Sequence, residues 1–552
     1  MGHKNSETSA NIEESAANID INGILGHLGP LGKWTWIQAI FMLTIGSVAG
    51  LGAVVFAITG FNPNHRCLIP QCEHLNSTNY THLGINYLNT LPDKSCLRLK
   101  VDLKTVSTCQ DYLDYVSDNQ TEKVVENCQI NDIVYDRSAV LSSITEDYKM
   151  VCDQSYERSI FSSLFSVGRL LGSFMGGLIS DNYGRMKAIT LSIFIVAASG
   201  IGETLINHKI GLGILRVIYG MGGQGCILVM FVLAAESTLP QHSVLITTMP
   251  GMGFHVGEFI LAIFAYFIRD WKTLQLATHI PALLCVSVYF LVPESARWLN
   301  SQGKTKEARK ILEKRAATNG KLPIPEELWN IPRKKDEPVI SNKKLSFQQS
   351  LVTIFSNRAL CFQGLNCFFQ SFMSFFGYYG TLYSATTLSG DPHVNFMLAL
   401  LSGIPGTLLY LLLPDRIGRK ATIIMVEVVL ALSSMTGVFL KYYDLYPIVQ
   451  IICSMISRLV AGVSVKACLL LLTELFPTPI RNTAVSIGGL FGGVGAVLGL
   501  LMEVFEVFWE PLPIVIIGCS SLFAAILVLQ LPETRGRKLP ETIEDVMKTV
   551  EK

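Results

Sequence analysis

The sequence contains few charged residues. Only 16% of its 552 residues are charged and 50% are hydrophobic, whereas about 25% of residues are charged in a typical soluble domain. The formal net charge is +1, so no overall field favours a nucleic-acid partner. Because the mean hydropathy is also high, at +0.40, the composition argues against an ordinary soluble protein.

Motifs for catalysis and cofactor binding are also absent. The sequence has no phosphate loop, dinucleotide fingerprint or nucleophile elbow, and its cysteines lack zinc-type spacing. We therefore expect neither an enzyme nor a bound metal or cofactor, and no direct driving by ATP. The polar N-terminus, through about residue 30, has no apolar core behind a basic start, so no signal peptide is predicted.

Long apolar runs dominate the rest of the chain. Segments of roughly 20 mostly apolar residues are candidates for membrane-spanning helices. The sequence has twelve of them, at 34–60, 158–180, 188–206, 211–234, 245–268, 273–292, 359–385, 394–413, 421–441, 447–472, 483–508 and 510–531. It therefore predicts an all-α, multi-pass membrane protein surrounded by lipid.

Basic residues predict its orientation. The short loops 181–187 and 414–420 and the longer segment 293–352 are rich in Lys and Arg, which favours the cytoplasmic side. Because these segments follow spans two, eight and six, both termini are expected in the cytoplasm and loop 61–156 outside. Within 293–352, residues 304–323 predict an amphipathic helix with Ala308, Ile311, Leu312 and Arg315 near one side. A flexible charged linker is the alternative.

The outer loop carries signs of a secretory compartment. Six cysteines predict three disulfide bonds, and three sequons predict N-glycans. Six cysteines allow 15 pairings, and the sequence does not choose among them. The cysteines are Cys67, Cys72, Cys96, Cys109, Cys128 and Cys152, and the sequons begin at Asn76, Asn79 and Asn119.

Four motifs recur in the same order at nearly one spacing. Asp-x-x-Gly-Arg at 181–185 returns 234 residues later at 415–419, and Arg216-x-x-x-Gly returns 242 residues later at Arg458. The glutamates at 236 and 294 return 238 and 239 residues later, at 474 and 533. The chain therefore divides into a cytoplasmic N-terminus (1–33), a six-helix half (34–292), a cytoplasmic linker (293–352), a second six-helix half (353–531) and a cytoplasmic tail (532–552).

These motifs resemble the major facilitator superfamily, whose hallmark is the Asp-x-x-Gly-Arg loop. Two parallel six-helix repeats are a known transporter plan. The strings PESARWL (293–299), TELFPTPIRN (473–482) and LPETRGRKLPETIED (531–545) resemble its organic cation, anion and zwitterion/carnitine branch. The resemblance covers almost the whole chain and implies a plasma-membrane carrier that works by alternating access.

The repeated charges are expected to meet at the cytoplasmic ends of the helices. Such ion pairs could latch that side shut while the central cavity faces outward, and each should be weak enough to break in every cycle, at about 1 kcal/mol. Alternatively, these charges only set the topology of the chain in the membrane. The predicted gating residues are Asp181, Arg185, Glu236, Glu294 and Arg297, with Asp415, Arg419, Glu474, Glu533 and Arg535 in the second half.

Ionisable residues deep inside spans are candidates for substrate contact, because each costs about 2.5–3.5 kcal/mol there. Lys466 lies in span ten, and His255 and Glu258 share one face of span five. Glu427 in span nine ranks lower, because that helix is peripheral in the superfamily and the side chain could reach toward the membrane surface or pair with a neighbour. A buried ion pair that only joins helices is the alternative for Lys466 and Glu258.

An aromatic face on span seven completes the candidate site. Aromatic rings hold organic cations through cation–π contacts, although ordinary helix packing explains such a face equally well. The resemblance favours Phe372, Tyr378 and Tyr379, because this helix lines the cavity in the family.

The chain departs from the cation carriers at three cavity positions. Gly493 and Gly403 replace acidic residues, and Lys466 stands where many cation carriers have Glu. With Glu258 opposite, Lys466 favours a zwitterionic or anionic substrate such as an amino acid or β-alanine. An organic cation or carnitine is the alternative, and a non-transporting receptor with this fold is a second one. The coupling ion stays open.

Overall fold

The computed structural model describes most of the chain. The described residues are 20–29, 31–69, 96–100, 109, 125–129, 131–138, 140–239, 243–290, 292–321, 323–329, 347–384, 392–443, 445–509 and 511–536. The three predicted glycosylation sites and Cys72 lie outside these ranges.

Helices account for most of the described residues of the first half and the linker. In chain order they are α1 (Ile21–His27), α2 (Lys33–Ala53), α3 (Val55–Thr59), α4 (Ile144–Asp147), α5 (Tyr156–Tyr183), α6 (Arg185–Leu205), α7 (Lys209–Glu236), α8 (Ser243–Phe267), α9 (Trp271–Leu284), α10 (Ala296–Ser301) and α11 (Thr305–Asn319).

The second half repeats this helical pattern. Its helices are α12 (Phe347–Ser356), α13 (Arg358–Ser384), α14 (Pro392–Leu401), α15 (Gly403–Ile417), α16 (Arg419–Tyr442), α17 (Pro447–Leu475), α18 (Thr478–Leu501) and α19 (Leu512–Val528).

Nine helical segments among the described residues are long and apolar enough to cross a membrane. They correspond to predicted spans one to five and eight to eleven. The other three predicted spans are helical but fall short for different reasons. Helix α9 gives way to a 3-10 turn after 14 residues, α19 has only 17 residues, and α13 is long but carries buried amides and hydroxyls.

A small disulfide-linked cap follows α3. Strands β1 (His65–Cys67) and β4 (Ile133–Tyr135) pair antiparallel, as do β2 (Leu97–Leu99) and β3 (Val125–Asn127). Disulfide bonds join Cys67 to Cys128 and Cys96 to Cys152. Cys109 is also disulfide-bonded. The seven other cysteines are free thiols, as the sequence predicts.

The repeated glycine forms the same turn in both halves. Gly184 has φ 110° and ψ 157°, and Gly418 has φ 103° and ψ 159°. Residues with a Cβ rarely adopt this conformation, so glycine lets one helix stop and the next start without a connecting loop. We call the end of the bundle with these two turns the linker end and the opposite end, with the strands, the cap end.

Glycines also bring helices into close contact inside each half. A Cβ on Gly46 or Gly50 of α2 would overlap backbone atoms of α8, and one on Gly495 would overlap the Phe372 carbonyl of α13. Small residues at such crossings let helix backbones approach in a membrane, where no hydrophobic effect drives helices together. The equivalent pairs α2–α8 and α13–α18 are therefore packed in the same way.

The two halves meet along α5–α18 and along α8 with α14 and α15. At the cap end, Leu382, Phe396 and Leu400 of the second half pack into one apolar cluster with first-half residues that include Val55 and Leu261. At the linker end, one apolar cluster contains first-half residues, another contains second-half residues, and a third joins the N-terminus to the linker.

The linker helix is fastened to the first half. The helix predicted over 304–323 is present as Thr305–Asn319, and Ala308, Leu312 and Arg315 are buried as expected. The Arg315 guanidinium donates to the Ser237 carbonyl at 2.8 Å and to Thr35 Oγ1 at 2.9 Å. Burial, followed by the nearby Arg297 charge, lowers the pKa of Arg315 to about 10.

Removing the bridge between Cys96 and Cys152 should destabilise the protein, because the bridge joins β2 to the residues just before α5. We expect the double substitution C96S/C152S to lower the free energy of unfolding by about 2–4 kcal/mol. The unfolding midpoint in detergent measures this. C519S, which removes an exposed free thiol, is the control, and equal midpoints for the two variants would contradict the prediction.

Candidate functional site

A polar group joins the two halves at the centre of the bundle. Glu258 of α8 accepts a hydrogen bond from the Arg458 guanidinium of α17, with Nη2 and Oε1 3.1 Å apart. Both side chains are at most 2% exposed. Because a buried charge without a partner is strongly destabilising, each of these two side chains depends on the other half of the protein.

Tyr378 of α13 completes this pair. Arg458 Nη1 donates to the Tyr378 carbonyl oxygen at 2.6 Å, and the guanidinium lies 3.6 Å from the centre of the Tyr378 ring. The Tyr378 hydroxyl points to Glu258 Oε1 at 3.4 Å. The ring thus provides a cation–π surface next to a carboxylate.

His255 connects Glu258 to the amine of Lys466. Its Nδ1 lies 2.8 Å from Glu258 Oε2, and its Nε2 lies 3.4 Å from Lys466 Nζ. Lys466 also donates to Thr407 Oγ1 of α15. Because an ammonium group only donates hydrogen bonds, Nε2 must be the acceptor, and Nδ1 carries the hydrogen donated to Glu258.

A third cation, Arg169, reaches the group, and it comes from the first half. Arg169 of α5 donates to Gln224 Oε1 of α7 from Nε at 2.9 Å and from Nη2 at 2.6 Å. It also donates to the Tyr379 hydroxyl, and its guanidinium lies 5.2 Å from the centre of that ring. Arg169 therefore makes another contact between the halves.

The charges of this central polar group do not balance. Arg169, Arg458 and Lys466 are cationic, and Glu258 is the one carboxylate that the described residues bring to them. A formal excess of two positive charges favours a ligand that brings a carboxylate. The Glu258–Tyr378 side could take an amine if Arg458 moved away.

The structure brings together five of the six predicted substrate-binding residues. Lys466, Glu258, His255 and Tyr378 form one connected chain, and Tyr379 joins it through Arg169. Phe372 does not. Its ring stacks on Phe369 and Phe376 and packs with residues of α19. The reason is position along the helix, because Phe372 shares a face of α13 with Tyr379 but lies about 10 Å before it, beside α19.

Four residues of the group were missed in the sequence, and two of them are cations. The rule that selects Lys466, a charge deep inside an apolar span, applies equally to Arg169 and Arg458. Arg458 stood out only as a marker of the internal repeat. Gln224 and Thr407 carry no such signal, because neutral polar residues are common inside helices.

The first charged cluster at the linker end is centred on Arg185. Its guanidinium pairs with Asp181 at 2.9 Å and with Glu236 at 2.8 Å. Glu294 instead accepts the backbone N–H groups of Arg185, at 3.0 Å, and of the next residue, at 3.1 Å. A carboxylate at this position stabilises the start of α6. Arg297 donates to the Glu236 carbonyl at 2.9 Å.

The second cluster repeats this arrangement around Arg419. Its guanidinium pairs with Asp415 at 2.9 Å and with Glu474 at 3.0 Å. Glu533 accepts the backbone N–H groups of Arg419 at 2.9 Å and of the next residue at 3.1 Å. Arg535 donates to the carbonyl oxygen one residue after Asp415.

Each cluster holds together the helices of its own half. The bonds just described for Arg185 join the first half to the start of the linker, and those for Arg419 join the second half to the start of the tail. The clusters therefore stabilise the linker end of each half as a unit. Their predicted role as a latch of the cytoplasmic side stays a prediction.

Glu427 lies deeper than its peripheral helix suggests. Its side chain is fully buried and accepts a hydrogen bond from Ser464 of α17. The sequence left open that it could reach toward the membrane surface, and its burial between α17 and α19 rules this out.

Comparisons with known proteins agree with this architecture. A family model described as "Sugar (and other) transporter" matches residues 107–545. The xylose transporter XylE from E. coli, in a partially occluded inward open conformation, superposes with a TM-score of 0.60 at 18% identity, covering 92% of this chain and 100% of that one. At this identity the likeness concerns the fold alone.

Several curated proteins are similar over most of their length. The organic cation transporter protein of Drosophila melanogaster is 34% identical over 417 residues, which are 75% of each chain. Solute carrier family 22 member 1 of Oryctolagus cuniculus is 29% identical over 94% of each chain. Organic cation/carnitine transporter 2 of Homo sapiens is 26% identical over 96% of this chain and 94% of its own.

The carboxylate at the start of α16 gives a pH-dependent prediction. Burial raises the pKa of Glu533, but hydrogen bonds from the backbone N–H groups of Arg535, Arg419, Lys420 and Thr534 outweigh it, so the pKa lies below its usual range. A lowered pKa in the folded state adds stability above the unfolded pKa, about 4.3, and this stability is lost as the pH falls through the folded pKa.

We therefore expect E533Q to lower the free energy of unfolding at neutral pH by about 1 kcal/mol, as for the loss of a helix cap. The gap to the native protein should narrow below about pH 4, as measured by unfolding midpoints across a pH series. E307Q, at an exposed position of α11, is the matched control. A gap that does not change with pH would argue against this role of Glu533.

Proposed function

Because the chain belongs to the sugar (and other) transporter family, and to the organic cation, anion and zwitterion branch of the major facilitator superfamily, we propose that it carries small organic ions across the plasma membrane. Its relatives are transporters and not enzymes. The proposed arrangement has twelve membrane-spanning helices, the linker end and both termini in the cytoplasm, and the glycosylated cap outside. The disulfide bonds of the cap support this orientation.

The proposed mechanism is alternating access between the two halves. The apolar cluster of Leu382, Phe396 and Leu400 with the first half closes the cap end. The linker-end clusters each belong to one half, which supports a state open to the cytoplasm. In the opposite state the cap-end contacts separate and the linker ends approach each other.

The proposed substrate is an organic ammonium compound that also carries a carboxylate, as carnitine does. The relatives named organic cation and organic cation/carnitine transporters support the ammonium group. The observation that carries the proposal is the Glu258–Arg458 ion pair, which joins the halves where the cationic Lys466 is also found.

An exchange of partners explains why a zwitterion suits this pair. Substrate ammonium would replace Arg458 at Glu258 and at the Tyr378 ring, while substrate carboxylate would bind Arg458 and Lys466. Glu258, Arg458 and Lys466 would then each have a partner of opposite charge. A simple cation would leave Arg458 without its carboxylate, and a simple anion would leave the ammonium position empty.

The same exchange would couple binding to movement. Because Glu258 and Arg458 belong to different halves, a substrate that takes over both partners removes a direct bond between the halves and replaces it with contacts through itself. Small zwitterions such as β-alanine carry the same two charged groups, an ammonium group and a carboxylate. They lack the bulky quaternary ammonium group that a cation–π surface favours.

Uptake by purified protein in liposomes tests the proposal with three labelled probes. Carnitine has both charges, choline has the quaternary ammonium group without a carboxylate, and butyrate has the carboxylate alone. We expect carnitine to be taken up fastest. Specific binding without uptake of any probe would contradict the transporter proposal and favour a receptor, and fastest uptake of butyrate would contradict the zwitterion.

Lys466 should matter for the carboxylate and not for the ammonium group. A hydrogen bond between charged groups contributes about 1.5–3 kcal/mol, so we expect K466A to raise KM for carnitine by about tenfold or more. Uptake of choline should change little. The control is K310A, at an exposed position of α11. Equal losses for carnitine and choline would show that Lys466 acts only on the structure.

A further inference from the structure

Glu427 is a buried carboxyl group with no role in the central polar group. It lies on α16 between α17 and α19, and its side chain is fully buried. No ion pair joins it to a cation among the described residues, unlike Glu258 with Arg458 or Glu203 with Arg216. A carboxylate in such a place must be neutralised by something that binds to it.

Hydroxyl groups surround this carboxyl group. Ser464 of α17 donates to Glu427 Oε1, and Ser521 of α19 lies beside it. Glu427 Oε2 is buried without a hydrogen bond of regular geometry in the part of the chain that is described, although the Ser521 hydroxyl lies close enough to interact with the carboxyl group. Oε1 is thus held by Ser464, and Oε2 is the oxygen that can take a proton.

A chain of hydroxyl groups leads from Glu427 to the helix that lines the centre. Ser464 Oγ lies 2.7 Å from Ser374 Oγ of α13, and both side chains are at most 1% exposed. Tyr378, four residues after Ser374, contacts Glu258 from the same helix. Hydroxyl groups both donate and accept hydrogen bonds, so the two serines connect Glu427 Oε1 to α13.

The neighbouring titratable side chains are neutral. Cys468 of α17 lies near Glu427, and Tyr378 of α13 and Tyr410 of α15 belong to the same apolar cluster as Val426, the residue before it. Thiols and phenols carry no charge near neutral pH, and α19 contributes the hydroxyl of Ser521. The charge on Glu427 therefore depends on its own ligand.

We propose that Glu427 binds and releases one proton in each transport cycle. The proton binds Oε2, which converts the buried carboxylate to a neutral carboxyl group, and it is taken from water on one side of the membrane and released to water on the other. The inference rests on the proposed function, because it names the coupling ion of that carrier. A proton fits better than a metal ion. Oxygen-bound Ca²⁺ and Mg²⁺ take about six or more ligands, and the described residues bring fewer oxygens than that to Glu427.

Infrared spectroscopy of the purified protein tests the site without any substrate. A protonated carboxyl group in an apolar place has its own carbonyl band. We expect this band to disappear between about pH 5 and about pH 9 in the native protein, to be missing at every pH in E427Q, and to titrate again in E427D. S464A should change the pH at which it disappears, whereas S433A, at a buried serine that bonds Ser457, should not.

Three results would overturn the proton site. A band that persists at all pH values would make Glu427 a permanent structural carboxyl group. A titrating band that remains in E427Q would belong to another residue. Loss of the band when Na⁺ replaces K⁺ at constant pH would identify a site for a metal cation.

Liposomes test the coupling. One proton per substrate allows a gradient of one pH unit to sustain up to about tenfold accumulation of carnitine. We expect this in the native protein, while E427Q should equilibrate carnitine without accumulating it. Uptake by the native protein that ignores the gradient would overturn the coupling. If the native protein transports neither carnitine nor choline, the proposed function fails, and the infrared titration still decides whether Glu427 binds a proton.

Discussion

The structure depends on the rule that a charge inside a membrane must have a partner. Water cannot compensate a charged side chain there, and the cost is about 2.5–3.5 kcal/mol even by the lower estimates. Glu258 and Arg458 meet this rule across the boundary between the halves, whereas Glu203 and Arg216 meet it within the first half. The Glu258–Arg458 pair couples ion binding to movement of the halves. The halves cannot separate at the centre unless another ion binds Glu258 and Arg458 in place of each other. The Glu203–Arg216 pair can stay intact while the halves move, because both of its residues belong to the first half.

The two halves are similar at their linker ends and different at their centre. Arg185 and Arg419 make matching ion pairs, and Glu294 and Glu533 bind the same backbone positions. The repeated arginines, in contrast, differ: Arg216 pairs with Glu203 of its own half, whereas Arg458 pairs with Glu258 of the other half. A duplicated framework thus holds a centre that is specific to this chain. The duplicated framework determines how the halves move, and the central polar group determines which substrate binds.

Much of the fold could be predicted from the sequence because membrane helices, repeats and glycine turns leave local signals. The apolar runs, the Gly184 and Gly418 turns and the linker helix are of this kind.

The central polar group was harder to predict, because its contacts join distant segments. Lys466, Glu258 and His255 were found by their charge or polarity in apolar surroundings, but nothing in the sequence shows that Arg458 bonds Glu258 200 residues away. Phe372 failed for a related reason, since an aromatic run on a helix faces several neighbours at once. Glu427 was undervalued because its position on a peripheral helix does not reveal which side of the helix it occupies.

The cap has a practical consequence for studying this protein. It is bonded to the first half at several points: Thr145 donates to the Gly60 carbonyl at 2.9 Å, and Trp271 donates to Asp147 at 2.9 Å. These anchors lie on one side of the boundary between the halves. An antibody fragment raised against the cap would therefore act as a fixed marker on one of the two moving bodies. In single-particle images it would give a small, nearly symmetric membrane protein a recognisable top and a recognisable first half.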